Sequence, residues 1–450
     1  MLAVRGLRRH YRRFTTADAE TRAFLIRRRY IPKLLLYLSL PLRLVLAVLL
    51  RIALLILKPL VHVRFGRYYS VSLGIWAGPM ELYLCEKDAG MHPKRSLDIF
   101  YHFHEHRFLL KNPPRPQSQV CNEQLDIMFR RHVRVNQLAA NLDNLNRMLP
   151  PGSRTFSVPG SPTYDELGLL ERTPAHLGFT EQEEERGLAG LASMGIEPGS
   201  PIVCFHARDG DYIHRNTPRM VSLYGDWKPE VYRNASIRNC LLAADELAQR
   251  GYYAIRMGKW VKDPLDHKNP RVIDYATNYH SDFMDVYLSA RCTFFIGLNS
   301  GMIRLPWAFR TPVALVNLMP FGVIGEAGTP GSIFIPKKYY SAEKGRLLTF
   351  CEVLSDRRIA YFSYKMDPEF YDSLGLEIQE NTPEEVSGLA TEVDDRLKGT
   401  FAPTQEDEEL QHRFLNLITS HTDFLFPPFE NYQRIKIGSH FLRSHPELLE

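Results

Sequence analysis

Five short apolar runs in the second half of the chain lack the alternation of polar and apolar positions that marks a half-exposed strand. Continuous runs of this kind are typical of strands buried on both faces of a parallel sheet. Segments with the 3.6-residue periodicity of amphipathic helices lie between them. The pattern predicts a doubly wound α/β domain, with strands within the runs 201–208, 252–257, 271–275, 292–298 and 312–318 and helices at 234–249, 281–290 and 302–309.

The first half shows the same alternation more weakly, and we interpret it as a second Rossmann-like region. Thr180 and Glu183 form a capping box that begins a helix, and Thr382 with Glu385 forms another whose helix ends at Gly399. A Pro-, Gly- and Ser-rich stretch at 150–162 is typical of a linker. Further strands are predicted at 67–73 and 97–103, and further helices at 76–87, within 122–149 and at 406–418.

Length and composition agree with several globular domains. The chain has 450 residues, of which 44% are hydrophobic and 24% charged, which excludes a disordered or collagenous protein. The six cysteines are scattered and are interpreted as reduced thiols, with three disulfides of a secreted protein as the alternative. We divide the chain into a basic and apolar segment at 1–63, α/β domains at 64–195 and 196–365, and a helical extension at 366–450.

Positive charge is concentrated at the N-terminus. Residues 1–64 contain fourteen Lys and Arg against two acidic residues, a net charge of +12, so the rest of the chain carries −7. This distribution argues against nucleic acid as a partner. The apolar run at 34–57 is interrupted by Pro41, Arg43 and Arg51, and on a helical wheel Arg43, Arg51 and Lys58 share one sector.

Such a helix is typical of one that lies in the plane of a membrane, with its cationic groups directed at anionic headgroups. A single spanning helix and a soluble basic hairpin are the alternatives that the pattern leaves open. With the basic residues in the cytoplasm, we expect the protein at the cytoplasmic face of the membrane. No signal-peptide cleavage site follows the basic region.

The strongest cluster of polar residues follows the predicted strand at 202–205. His206, Arg208, Asp209 and Asp211 leave its carboxyl end, where open α/β sheets bind their ligands. The planar fork of an arginine can bind a diphosphate, and a neighbouring carboxylate can orient it. The alternative is an ordinary turn around Gly210 that is capped by the two aspartates.

Two later strand ends carry residues of the same character. Arg256 and Gly258 follow one strand, whereas Asn299, Ser300 and Gly301 follow another and begin a helix. Small residues in such a turn allow phosphate oxygens to approach backbone N–H groups. Taken singly, Arg256 could be a solvated loop charge and Ser300 an ordinary N-cap.

Other chemistries have weaker support. The chain contains no Walker loop, His-Glu-x-x-His motif or Gly-x-Ser-x-Gly elbow. His102, His104 and His106 would share one face of a strand and could bind zinc, but a fourth ligand at a recognisable spacing is missing. A metal-dependent hydrolase is therefore a minor alternative, and we expect no metal site.

At this point the motifs resemble a known superfamily. His206-x-Arg208-x-x-Asp211 is similar to the His-x-Arg-x-x-Asp motif of fucosyltransferase-like enzymes with the GT-B fold, which has two Rossmann-like domains facing a cleft. The stretches 281–290 and 294–301 resemble the Asp-rich helix, buried strand and serine-bearing turn of that superfamily. More closely, 64–349 resembles a bacterial family of glycosyltransferases found with surface-polysaccharide genes, although Asn299 stands where fucosyltransferases often have serine.

The resemblance implies roles for individual residues. Arg208 would stabilise the leaving diphosphate while His206 and Asp211 hold the motif, and no metal or other cofactor would be required. Asp282 or Asp285 would lie near the base or ribose of the nucleotide, with Ser300 and Gly301 at its phosphates. The general base would come from the first domain or from the motif itself, with Glu81, His104, Glu105 and Asp209 as the candidates.

These implications lead to one expectation and one rival. The expected protein is a metal-independent, inverting glycosyltransferase that moves a sugar from a nucleoside diphosphate sugar, with GDP slightly favoured, to a lipid-linked or polysaccharide acceptor. It would act in bacterial cell-surface glycan synthesis at the inner membrane. The domain 64–195 would then bind the acceptor, and 196–365 the nucleotide sugar. The rival is a non-catalytic GT-B-like scaffold of a membrane assembly.

Overall fold

The structure is a computed structural model, and it describes residues 38–103, 120–149, 155–210, 231–328, 330–360, 368–421 and 434–450. The helices of the described residues are α1 (Leu40–Leu57), α2 (Ala77–Asp88), α3 (Glu123–Arg130), α4 (Leu138–Asn146), α5 (Leu169–Arg172), α6 (Glu181–Ser193), α7 (Leu241–Gln249), α8 (Tyr275–Asn278), α9 (Asp282–Arg291), α10 (Arg304–Ala308), α11 (Phe350–Ser355), α12 (Arg357–Ala360), α13 (Pro368–Ser373), α14 (Pro383–Leu397), α15 (Gln405–Ser420) and α16 (Ser439–Ser444). The strands are β1 (His62–Tyr68), β2 (Ser96–His102), β3 (Arg134–Val135), β4 (Ile202–Phe205), β5 (Tyr253–Arg256), β6 (Val272–Ile273), β7 (Phe295–Gly297), β8 (Val313–Leu318), β9 (Ile333–Pro336), β10 (Lys338–Ser341), β11 (Arg346–Leu347) and β12 (Leu376–Gln379).

The chain forms two compact units. Among the described residues, the first unit contains 38–68, 93–103, 133–149 and 155–159, and the second contains the remainder. The α/β class predicted from the sequence is confirmed, because each unit contains a parallel sheet. The four-segment division by sequence stays a prediction.

The first unit is built on the parallel sheet β1-β2-β3. Side chains from α1, β1, β2 and α4 form its core, in which Leu54, Phe65, Tyr101 and Phe156 are buried. The sequence analysis placed the first strand at 67–73, and this prediction was wrong. Strand β1 instead spans His62–Tyr68, and the charged Arg64 within it is buried against Asp98, which hides the apolar pattern of a strand.

Helix α1 rests on this unit through one narrow face. Ala47 and Leu54 are buried, while Arg51 donates hydrogen bonds from Nη2 to the Asn146 backbone oxygen at 3.2 Å and to its Oδ1 at 3.0 Å. The expectation that the Arg51 guanidinium is directed at lipid headgroups was therefore wrong, because it donates hydrogen bonds to Asn146 of the protein instead. The opposite face is apolar and exposed, with Leu42, Leu44, Val45, Leu46, Val48, Leu49, Ile52, Leu55 and Ile56.

By length and composition alone, α1 is apolar enough to cross a membrane, and in the described part of the chain it is the one helix that passes this test. It has a mean hydropathy of 2.5 over 18 residues.

The second unit contains a six-stranded parallel sheet with the order β6-β5-β4-β7-β8-β9. Numbered from β4, this is the order 3-2-1-4-5-6 of the doubly wound Rossmann fold. Its strands are apolar and almost entirely buried, as the continuous apolar runs predicted. The strand order reverses between β4 and β7. In a doubly wound sheet, the connections that follow two such neighbouring strands lie on opposite faces of the sheet.

Helices and a small sheet complete the second unit. The capping boxes predicted at Thr180 and Thr382 are both present, and C-terminal helices are present as predicted: α14, α15 and α16. An antiparallel sheet with the order β11-β10-β12 was not predicted. Its strands β10 and β12 are short and are far apart in sequence, so no local pattern indicates their pairing.

Candidate functional site at the carboxyl edge of the six-stranded sheet

A cavity of about 410 Å³ opens where the strand order of the second unit reverses. It is lined by the loop after β4 and by the turn after β7, and all of its lining residues belong to the second unit. The carboxyl edge at this switch point is where doubly wound sheets bind ligands, and the volume is within the usual range for a small-molecule site. Eight of the eleven site residues predicted from the sequence line this cavity: His206, Arg208, Asp209, Gly258, Asp285, Asn299, Ser300 and Gly301.

His206 is the first residue after β4. Its backbone N–H donates to Ile296 of β7 at 2.9 Å, so it continues the ladder between the two strands. Its ring Nδ1 lies 3.1 Å from the carbonyl oxygen of Met257, which can only accept, so Nδ1 carries the proton. Burial lowers the pKa of His206. The imidazole is therefore neutral at pH 7, with Nε2 as an acceptor.

Backbone contacts hold the next residues of the loop in place. The carbonyl oxygen of Arg208 accepts from Ala235 N at 3.0 Å, and the Asp209 carboxylate accepts from Lys262 N at 2.7 Å. Gly210 follows with a φ of +84°, a left-handed conformation that favours glycine. Asp211, the fourth residue predicted here, lies outside the described residues.

The turn after β7 is held from both sides. The Asn299 amide donates to Met319 O at 2.6 Å, and Arg233 donates to the carbonyl oxygen of Asn299. A Cβ on Gly301 would lie 3.0 Å from the backbone nitrogen of Gly74, so any other residue would push these two backbone segments apart by a few tenths of an ångström. The hydroxyl oxygen of Ser300 is buried and has no hydrogen-bond partner among the described residues.

Gly258 and Asp285 lie on a further part of the wall. Gly258 has a φ of +156°, and a Cβ there would meet Val261 at 2.8 Å. Asp285 is buried, and its carboxylate accepts from Tyr275 at 2.9 Å and contacts His280 at 3.1 Å. Burial raises the pKa of Asp285, although His280 and Tyr275 oppose the shift.

Two predicted site residues do not line the cavity. Arg256 is buried and donates to Asp263 O at 2.8 Å, with Asp274 at 3.4 Å. Asp282 contacts Lys259 Nζ at 2.7 Å and accepts from Glu123 N at 2.8 Å. Both side chains therefore fix loops around the site.

The structure adds residues to the cavity that the sequence analysis did not select. Arg233, Arg304 and Lys259 bring positive charge, whereas Glu326 and Tyr164 come from segments far away in sequence. Burial and the nearby Glu326 carboxylate raise the pKa of Tyr164. Arg304 and Glu326 are each a single charge within an apolar run, and this is the signal that could have identified them.

The general-base candidates are distributed differently. Glu81 is fully buried on α2 and contacts His176 Nδ1 and Arg310 Nη2, each at 2.9 Å. It does not line the cavity, and its role as a general base stays a prediction. Burial disfavours the charged form of His176, but hydrogen bonds to Cys85 and Glu81 outweigh this and raise its pKa to about 10. His104 and Glu105 lie outside the described residues. Among the candidates that the structure describes, Asp209 lines the cavity.

Two groups of side chains in the described ranges have the donor atoms for a metal ion. One is Glu81, Cys85 and His176, and the other is His280, Asp282 and Asp285. In each group a cationic side chain already contacts a carboxylate: Arg310 contacts Glu81, and Lys259 contacts Asp282. Of the three histidines considered for zinc, His102 packs its ring against Tyr68, and His104 and His106 lie outside the described residues.

No protein-family model matches the sequence, and no curated protein matches it. Solved structures that align with the chain include three glycosyltransferases. A family 9 glycosyl transferase from Veillonella parvula DSM 2008 has 11% identity over 61% of this chain and 86% of its own, with a TM-score of 0.36. The iron-containing dodecameric glycosyltransferase TibC from enterotoxigenic E. coli H10407 has 15% identity over 76% and 80%, with a TM-score of 0.38. The ADP-heptose LPS heptosyltransferase II of E. coli has 13% identity over 60% and 90%, with a TM-score of 0.30.

Proposed function

We propose that this protein is a glycosyltransferase that binds a nucleoside diphosphate sugar in the cavity of the second unit. The observation that supports the proposal best is the position of Arg208 and the turn 299–301 on either side of the switch point, at the edge where doubly wound folds hold nucleotides. The motif around Arg208, which resembles that of fucosyltransferase-like enzymes, supports the same reaction.

The reaction breaks the bond between the anomeric carbon and the diphosphate, and a hydroxyl of the acceptor forms the new bond. Negative charge develops on the departing diphosphate, and cationic groups already in place there lower the barrier. Arg208 is the residue that we assign to this role, with Arg233 and Lys259 as further cations of the cavity wall. These side chains can supply the charge without a metal ion, and we propose a metal-independent transfer.

The acceptor hydroxyl must lose a proton as it attacks. Asp209 and the neutral His206 are the groups of the loop that can accept it, since Nε2 of a histidine protonated at Nδ1 carries a lone pair. Direct attack by the acceptor inverts the anomeric centre, and we propose inversion. The resemblance favours a GDP sugar slightly.

The exposed apolar face of α1 supports a membrane-bound acceptor. Eleven large aliphatic side chains of this helix are exposed, and the chain preceding it is strongly basic. Burying these side chains in the lipid and placing the basic residues at anionic headgroups would hold the enzyme at the cytoplasmic surface. A lipid-linked or polysaccharide acceptor of bacterial surface glycan synthesis would be reached from there.

The test is a calorimetric titration of the full chain with GDP, UDP, dTDP, CDP and ADP in the presence of EDTA. We expect one nucleotide to bind, and Arg208→Ala to weaken it by roughly 10²–10³-fold while the fold is retained. Arg238→Ala is the matched control, because Arg238 is exposed in the same unit and does not line the cavity. If Arg208→Ala binds the nucleotide as tightly as the wild type does, the assignment of the site is refuted. If none of the five nucleotides binds, the alternative of a non-catalytic scaffold is favoured.

A further inference from the structure

Three polar atoms that line the same cavity are buried without a hydrogen-bond partner among the described residues. They are the Ser300 hydroxyl oxygen, Nη1 of Arg304 and Oε2 of Glu326. Buried polar atoms are nearly always paired in folded proteins, and the exceptions cluster where a ligand supplies the partner. Three such atoms around one cavity therefore indicate where a ligand places its own polar groups.

Arg304 and Glu326 form an incomplete ion pair. Their side chains are only 5% and 4% exposed, and Nη2 of Arg304 lies 3.5 Å from Oε1 of Glu326. This distance allows electrostatic attraction but is longer than a good hydrogen bond. Glu326 also forms a side-chain hydrogen bond with Tyr164, whose hydroxyl is the donor. Nη1 of Arg304 and Oε2 of Glu326 are the atoms left without a partner among the described residues.

The Arg304 guanidinium is fixed in its orientation. It lies 5.1 Å from the centre of the Tyr164 ring and 4.8 Å from the centre of the Trp307 ring. These contacts hold the planar group against two aromatic side chains. The free Nη1 donor is therefore already positioned before a ligand binds.

The two free atoms demand a particular chemical group. Arginine can only donate hydrogen bonds, and an ionised glutamate can only accept them. A group that satisfies both must accept from Nη1 and donate to Oε2, which a hydroxyl does and a carboxylate or phosphate oxygen does not. A carboxylate would also place a second negative charge beside Glu326.

We propose that Arg304 and Glu326, with Ser300, form a subsite for sugar hydroxyls that selects a neutral donor sugar over a uronic acid. The proposal rests on the proposed function, because it assigns the sugar-binding part of the same cavity. Arg208 and the other cations would hold the diphosphate. The Arg304–Glu326 pair, which has no net charge, would form hydrogen bonds with the hydroxyls of the transferred sugar. A site built to bond a hydroxyl rejects analogues that lack it.

The first experiment compares a nucleoside diphosphate with its hexose conjugate on the full chain, using the base that binds best. We expect Glu326→Ala to weaken the hexose conjugate by roughly 10- to 100-fold, because a hydrogen bond to a charged group is lost. Binding of the free diphosphate should change less than about twofold. Ser300→Ala, which leaves no buried charge unpaired, should give a smaller loss of the same kind if Glu326→Ala does not fold. Equal weakening of both ligands would overturn the subsite.

The second experiment needs no variant of the binding pair. The hexose conjugate of the best-binding nucleoside diphosphate is compared with the matching uronic acid conjugate, such as UDP-glucose with UDP-glucuronate or GDP-mannose with GDP-mannuronate. We expect the wild type to bind the neutral member of the recognised pair at least about tenfold more tightly. Glu326→Gln should reduce this preference, since Arg304 then lacks its counter-charge. Equal affinity for both members would refute the proposal while leaving the proposed function intact. Absence of binding by every nucleotide would instead remove the proposed function, and this inference with it.

Discussion

Each of the two units contains a buried arginine–carboxylate pair, and the pairs differ in how completely they are satisfied. In the first unit, Arg64 bonds Asp98 in a bidentate manner, at 2.7 Å from Nε to Oδ1 and 2.6 Å from Nη2 to Oδ2. In the second unit, Arg304 and Glu326 are 3.5 Å apart and each retains an unpartnered atom. A complete pair serves the fold, whereas an incomplete pair at a cavity costs stability and is typical of a binding site.

The largest effect is expected from breaking the complete pair. Arg64→Met leaves Asp98 buried without its partner, and we expect a loss of about 3–5 kcal/mol in the free energy of unfolding. Chemical denaturation measures it. Arg130→Met removes an exposed pair with Asp126 and should cost less than about 0.5 kcal/mol. A loss of under about 1 kcal/mol for Arg64→Met would remove the contrast between the two pairs.

The next effect concerns the outer surface of the first unit. Leu49 and Ile52 are exposed on the apolar face of α1, and burying such a side chain contributes about 1.5–3 kcal/mol. We expect the double variant Leu49→Asp/Ile52→Asp to lose more than about 100-fold in affinity for anionic vesicles in a sedimentation assay.

Unfolding of the variant is followed in parallel, and nucleotide binding should be unchanged because the cavity lies in the second unit. If the variant binds vesicles as the wild type does, α1 does not hold the protein at a membrane.

The incomplete pair should behave in the opposite way from the complete one. Replacing both members, in Arg304→Met/Glu326→Leu, removes two unsatisfied buried atoms, so we expect the protein to gain about 1–3 kcal/mol in stability while it loses sugar binding. The matched variant Arg64→Met/Asp98→Leu removes well-made hydrogen bonds and should gain less. If the two double variants change the free energy of unfolding equally, the geometry of the two ion pairs does not distinguish a binding role from a structural one.

The smallest effect is a pH dependence at the cavity. Burial lowers the pKa of His206 in the folded protein, so below pH 6.5 the unfolded chain binds a proton that the native state does not. Stability due to this group is present above pH 6.5 and is lost as the pH falls below it, by at most about 1.4 kcal/mol per pH unit. In His206→Gln the acid decline should be shallower when unfolding is measured between pH 4 and 8. Identical slopes would show that His206 is not held neutral.

The sequence predicts the site best where its residues follow strands directly. The strand ends at Phe205 and Gly297 could be predicted because buried parallel strands are continuous apolar runs, and the loop and turn after them line the cavity. Arg256 illustrates the limit of this reasoning, since it also follows a strand but its side chain turns inward to Asp274. Position along a strand does not determine which way a side chain points.

Residues contributed by distant segments could not be predicted locally. Glu326 is part of the apolar stretch 321–328, and Tyr164 belongs to a segment that was interpreted as following a linker. Their meeting with Arg304 depends on the tertiary fold. Strand β1 was misplaced for a related reason, because the partner that neutralises Arg64 is 34 residues away.

The central claim is that the cavity at the switch point binds a nucleoside diphosphate, and a crystal structure of the complex with the best-binding nucleotide tests it most directly. The account predicts the diphosphate within hydrogen-bond distance of the Arg208 guanidinium and of the turn 299–301. It also predicts that Arg304 and Glu326 stay free of the phosphates. A nucleotide bound elsewhere on the protein, or a diphosphate held by Arg304, would contradict the account.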